Sequence, residues 1–153
     1  PAGEDMISQQ EPFEDPLKAA CELVAKYSSV DYADRSFNPY APEKEVAYWC
    51  PQDFDGKERK RLYMTIMATD FAKMNGLKIT NARGDNVKIS KVEFKSGPQW
   101  FGKLDLDEKI RSPRQVVKIP FKGPGTTEGL EREVVVYVTI EGGPQSWGMI
   151  SLY

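Results

Sequence analysis

The sequence predicts an α+β domain: two helices followed by a mainly antiparallel sheet of four to five strands. Residues 57–75 carry apolar side chains at helical spacing. Gly76 marks a switch from that period to a period of two. Residues 116–153 hold three β-branched and aromatic runs cut by turn residues, the pattern of an antiparallel meander. An all-β sandwich is the alternative.

Residues 1–13 are polar and acidic without periodicity and read as a flexible tail ahead of one domain spanning 14–153. Asp15 followed by Pro16 is a helix start: a capping acceptor, then proline at the first helical position. Leu17, Ala20, Cys21, Val24 and Tyr27 then fall at helical spacing, which predicts a helix over 16–28. Residues 29–42 are a loop, because Asn38-Pro39-Tyr40-Ala41-Pro42 cannot continue a regular element. Residues 43–50 suit a short strand or a helix start, Pro51 ends either, and 52–56 turn the chain.

The second helix is expected over 57–75. Tyr63, Ile66, Met67, Asp70, Phe71 and Met74 form its apolar stripe, broken only by Asp70, and Gly76 serves as its left-handed cap. Residues 77–80 suit a short strand and Arg83-Gly84-Asp85 a turn. Val87 and Ile89 share one parity, Val92 and Phe94 the other, so a bulge is expected near Ser90-Lys91. Ser96-Gly97-Pro98 turns the chain into a strand over 100–106, and 107–113 form a charged loop. In the final meander, Val134 to Ile140 is expected to be a central strand covered on both faces.

At 153 residues the chain has room for one domain with a core of its own. A net charge of −2 argues against general nucleic-acid binding. No apolar run reaches the roughly 18 residues that span a membrane, and no signal peptide is visible. Because the chain opens on Pro1 and not on methionine, it reads as either a processed mature protein or a trimmed chain, and whether a targeting or anchoring segment was removed stays open. The sequence holds no histidine, which removes Ser-His-Asp and Cys-His catalysis and His-ligated zinc. Two cysteines are too few for a Cys-only zinc site. Cys21 sits on an apolar helix face, so Cys21 and Cys50 are read as free thiols. The alternative is one disulfide, worth about 3–4 kcal/mol on loop-entropy grounds.

Several motifs reduce to ordinary structure. Gly123-Pro124-Gly125 and Gly142-Gly143-Pro144 lack the strand–helix context and the lysine of a phosphate loop. Asp105, Asp107 and Glu108 lack EF-hand spacing. The reading therefore assigns no catalytic residues, cofactor or metal. Two candidate contact surfaces remain. One is the aromatic loop with Tyr32, Phe37 and Tyr40, since aromatic residues enrich interfaces. The other is Lys57, Arg59, Lys60 and Arg61, cations crowded at the predicted helix start, where the dipole disfavours them. Trp49, Trp100 and Trp147, if exposed on one sheet face, would form a sugar-stacking platform; at strand positions they are more often core or interface residues. An enzyme built on Asp70, Asp105 and Asp107 finds no support in their spacing.

The segments Val117 to Gly125, Val134 to Val138 and Trp147 to Leu152, with the predicted helix and Gly76-Leu77 before them, resemble one family. It is the soluble domain of the mitochondrial presequence-translocase regulatory subunit, with the related cytochrome-oxidase assembly factors. The resemblance implies a helix ahead of an antiparallel sheet and no catalytic residues. It also implies docking onto other subunits at an organellar inner membrane. The expected function is thus a non-catalytic accessory or assembly subunit of an organellar membrane complex. Its partners would be other protein subunits rather than nucleic acid, placing it peripheral to a membrane through them. The alternative is a small carbohydrate- or ligand-binding β domain.

Overall fold

The computed structural model describes residues 17–19, 21–22 and 46–153. Residues 17–19 and 21–22 are helical and are called α1. The strands are β1 (Val46–Trp49), β2 (Arg59–Met67), β3 (Gly76–Arg83), β4 (Val87–Ser96), β5 (Gln99–Ile110), β6 (Gln115–Pro120), β7 (Glu133–Glu141) and β8 (Trp147–Leu152). A 3-10 turn, Pro51–Phe54, follows β1, and a short helix α2, Ala68–Lys73, follows β2.

The strands form two four-stranded antiparallel sheets in the orders β1-β8-β3-β6 and β2-β7-β4-β5. The pairs β1–β8, β2–β7, β3–β6 and β4–β5 nest like one long hairpin that has been rolled up, which is the jelly-roll arrangement. The predicted α+β fold, two helices and one sheet of four to five strands, is therefore replaced by a β-sandwich. The C-terminal meander is replaced as well. Its three strands exist, but β6 and β8 flank β3 in one sheet while β7 is central in the other.

The second predicted helix shows why. Over 59–67 the chain pairs residue by residue with β7, from Arg59 opposite Glu141 to Met67 opposite Glu133. Leu62, Met64 and Ile66 point inward and are buried, while Tyr63, Thr65 and Met67 alternate outward, half-buried. With both faces partly apolar, the segment fits either period, and the neighbouring strand decides. Only 68–73 become helical. Gly76 opens β3 rather than capping a helix.

Other expectations fare differently. Residues 46–49 are a strand, and the register shift between Ile89 and Lys91 is the expected bulge. Gly97, at φ +53, makes the β4–β5 turn, but β5 runs on to Ile110 through part of the predicted charged loop. β7 is central; its inner face, Val134 to Ile140, is fully buried, while Val135 and Tyr137 leave the outer face only half covered.

The sandwich interior joins both sheets through Trp49, Leu77, Ile79, Ile89, Val92, Val136, Val138 and Ile150, among others. One end closes on three phenylalanines: Phe94 lies 4.2 Å from Phe121 and 5.3 Å from Phe71, ring centre to ring centre. Such ring pairs add about 0.5–1.5 kcal/mol each beyond the area they bury. A second, smaller cluster lies on the outer face of the β1-β8-β3-β6 sheet. There Leu17 and Cys21 of α1 pack with Cys50, Ala82, Tyr48, Trp147 and Met149. Cys21 and Cys50 are joined as a disulfide with Cα atoms 5.5 Å apart, not held as free thiols. The Gln52 side-chain amide donates to the Cys21 carbonyl at 2.8 Å, a second tie to the same helix. The capping residues Asp15 and Pro16 lie outside the described residues, as does the tail 1–13.

Candidate functional site

The outer face of the β2-β7-β4-β5 sheet is the candidate site. Strand alternation fixes who stands on it: Arg61, Tyr63 and Thr65 from β2, Val135, Tyr137 and Thr139 from β7, Glu93 and Lys95 from β4. The β4 bulge adds Lys91 to this face, out of simple alternation with Ile89. A second shift, between Phe94 and Lys95, sets Trp100 of β5 opposite Lys95 and so onto the same face.

These side chains converge. The Arg61 guanidinium carbon sits 4.2 Å from the Tyr137 ring centre and 5.5 Å from that of Trp100. One Arg61 nitrogen lies 3.4 Å from a Glu93 carboxylate oxygen. The Trp100 and Tyr137 rings are 5.3 Å apart, Tyr63 stands 6.2 Å beyond Tyr137, and the Lys95 ammonium is 5.0 Å from the Trp100 ring centre. Cation–ring contacts at exposed sites contribute about 0.5–1 kcal/mol each, so the cluster is held together but not locked. Trp100 nevertheless keeps 50% of its surface exposed and Phe101 38%. Beside them an open cleft of about 390 Å³ is bounded by Glu93, Trp100, Phe101, Gly102 and Lys103.

At the far end of the same sheet, Lys88 lies 3.6 Å from Glu141 and 3.7 Å from Asp107. The Ser90 hydroxyl holds the Glu141 carboxyl below its ordinary pKa, partly offset by desolvation and reinforced by the positive charges of Lys88 and Arg59.

The expected basic cluster is not one cluster. Lys57 is exposed ahead of β2, Lys60 shares the inward parity of Leu62, and Arg59 and Arg61 point outward. They crowd a strand start, not a helix start, so the helix-dipole argument for them falls. Only Arg61 joins the aromatic group. Tyr32, Phe37 and Tyr40 lie outside the described residues. The three tryptophans do not share a face: Trp49 is fully buried, Trp147 packs beneath α1, and Trp100 stands on the opposite sheet. Asp70 lies on α2 whereas Asp105 and Asp107 stand on β5, and Asp105 is 3.7 Å from Lys103. Among the described residues, no group of three or more Asp, Glu or Cys is placed to hold a metal ion. Nor is any helix among them long and apolar enough to cross a membrane.

Tyr137, Glu93 and Lys95 are site residues that the sequence reading missed. Tyr137 breaks the valine run of β7 and Glu93 and Lys95 alternate with buried neighbours, so the outward parity was there to find. The partner strands that bring them to Arg61 were not. Compared with known protein families and curated proteins, the chain matches no family model and no curated relative.

Proposed function

We propose that this chain is a non-catalytic protein-binding module, an accessory or assembly subunit of a larger complex, and that it engages its partner through the outer face of the β2-β7-β4-β5 sheet. The observation that carries the proposal is the group Arg61, Trp100 and Tyr137, half-exposed on a rigid sheet. Arg, Trp and Tyr dominate the energetics of protein interfaces, because each offers a large, rigid surface together with polar contacts. A sheet scaffold also presets their geometry, which lowers the ordering cost of association. The lack of any histidine supports a binding role over acid–base chemistry at neutral pH.

A sugar-stacking role is the second reading, favoured by the exposure of Trp100. The cations already set over the Trp100 and Tyr137 rings weigh against it, since a pyranose needs an open ring face. The buried Cys21–Cys50 disulfide supports residence in an oxidising compartment. Membership of an organellar membrane complex rests on the sequence resemblance alone, and the helix over 57–75 and the C-terminal meander that entered that resemblance are replaced by strands of two sheets.

The test compares wild type with Trp100→Ala by quantitative co-purification under crosslinking. Loss of a defined set of protein subunits with Trp100→Ala, at unchanged melting temperature, is the expected result. An unchanged set, together with protection of Trp100 from acrylamide quenching by an oligosaccharide, would replace this reading with the sugar-binding one.

A further inference from the structure

The charge on this face is opposite in sign to that of the whole chain. By cross-strand register, seven Lys and Arg side chains stand on this outer face against five carboxylates, Glu93, Asp105, Asp107, Glu133 and Glu141, a balance of +2 on a chain of net −2. The carboxylates nearest the cleft are engaged: Glu93 with Arg61 at 3.4 Å, Asp105 with Lys103 at 3.7 Å. Lys91 faces Asp105 across the strands, yet among the described residues the structure shows no ion pair for it or for Lys95. Lys95 instead lies against the Trp100 ring, so a cation and an aromatic surface are offered together at the rim of the cleft.

We propose that the segment recognised here is an acidic polypeptide with at least one large apolar residue among its carboxylates. This rests on the reading that the face binds protein. Carboxylates would pair with Lys91 and Lys95, and the apolar side chain would enter the cleft between Trp100 and Phe101. A stretch of Asp and Glu alone would leave that cleft empty, and an apolar stretch alone would leave two cations desolvated beneath it. The positive field would also speed encounter with such a segment and make its binding sensitive to salt.

Selection from a random displayed peptide library against the full chain tests this. The enriched peptides should be rich in Asp and Glu around an aromatic or large aliphatic residue. Their affinity for the wild type should fall as salt rises, and in the Lys91→Glu/Lys95→Glu variant it should be about tenfold lower at low salt and lose that salt dependence. A Lys78→Glu/Lys118→Glu variant, reversing charge at a cross-strand pair of the opposite sheet, should bind them at full strength. Melting curves of all variants separate lost binding from lost folding. Neutral or basic peptides that still depend on Trp100 would overturn the acidic partner while leaving the protein-binding reading intact. Peptides indifferent to Trp100, or no enrichment at all, would overturn both. Sedimentation of the chain with vesicles of phosphatidylcholine and phosphatidylserine, but not with phosphatidylcholine alone, would make an anionic membrane the occupant and overturn the proposal.

Discussion

Trp49 and Trp100 are the same residue type with opposite fates, and their neighbours decide which. Trp49 pairs across the strands with Gly148, and its indole lies so close that a Cβ at position 148 would overlap the ring. Its Nε1 donates to the Ser146 hydroxyl at 3.0 Å, and that hydroxyl donates to Asn81 Oδ1 at 3.1 Å. The Asn81 amide then donates to the carbonyls of Asp85 and Ile110, both at 2.9 Å. A buried polar chain thus ties the β1 tryptophan to the approach to β8, to β3 and to the end of β5. Ser146→Ala would strand both the indole N–H and the Asn81 oxygen in the core. It should cost about 1–3 kcal/mol in denaturant unfolding. In a Trp49→Phe background the same substitution should cost less, because the indole donor is already gone. Equal costs in the two backgrounds would mean that the bond to Trp49 contributes nothing. Nothing in the sequence near Trp49 or Trp100 announces this difference, since Ser146 and Asn81 reach Trp49 only through the fold.

Elements were legible in proportion to how locally they are determined. The Gly97 turn and the Ser90-Lys91 bulge rest on short-range chemistry and parity, and both stand. β2 fails that test because Leu62, Met64 and Ile66 face the core while Tyr63 and Met67 are half-covered on the outside. The run is therefore apolar at almost every position and carries no clean period. The disulfide is a second case. Cys21 does lie on a buried helix face, as its spacing says, but the face it meets holds Cys50, which spacing cannot say. A Cys21→Ser/Cys50→Ser variant should lose about 3–4 kcal/mol of stability on loop-entropy grounds. Tyr48, Trp147 and Met149 should gain solvent exposure as α1 loosens, read as stronger acrylamide quenching of Trp147. Unchanged quenching would show that packing and the Gln52 bond hold α1 without the link. At the far end of the second sheet, Glu141 has its folded pKa lowered by Ser90 and then by Lys88 and Arg59. Its contribution to stability is therefore present above the unfolded carboxylate pKa and lost as pH falls through the lower folded value. Lys88→Ala should move the Glu141 carboxyl titration upward by NMR. No movement would assign the shift to Ser90 and Arg59.

For the whole molecule, the decisive information is which strand lies beside which, and the nesting of β1 with β8 and of β2 with β7 joins residues from opposite ends of the chain. Runs of valine and isoleucine identify strands but not partners, so a meander of neighbours is the natural reading of residues 116–153 and the wrong one. The two arrangements predict different things for the C-terminus. In a meander β8 would be an edge strand, and its removal would trim the sheet and leave the core. In the jelly roll β8 lies between β1 and β3, supplies Ile150 to the interior and carries Gly148 beneath Trp49. Truncation before Trp147 would then leave β1 without its strand partner among the described residues and open one flank of β3. Buried backbone groups on both would have no partners, at a cost no marginally stable domain of this size can absorb. The truncated chain should lose cooperative thermal unfolding and near-ultraviolet circular dichroism together. A truncated chain that still melts in one sharp transition, near the wild-type temperature, would show that β8 is dispensable and that the rolled topology does not hold the sandwich together.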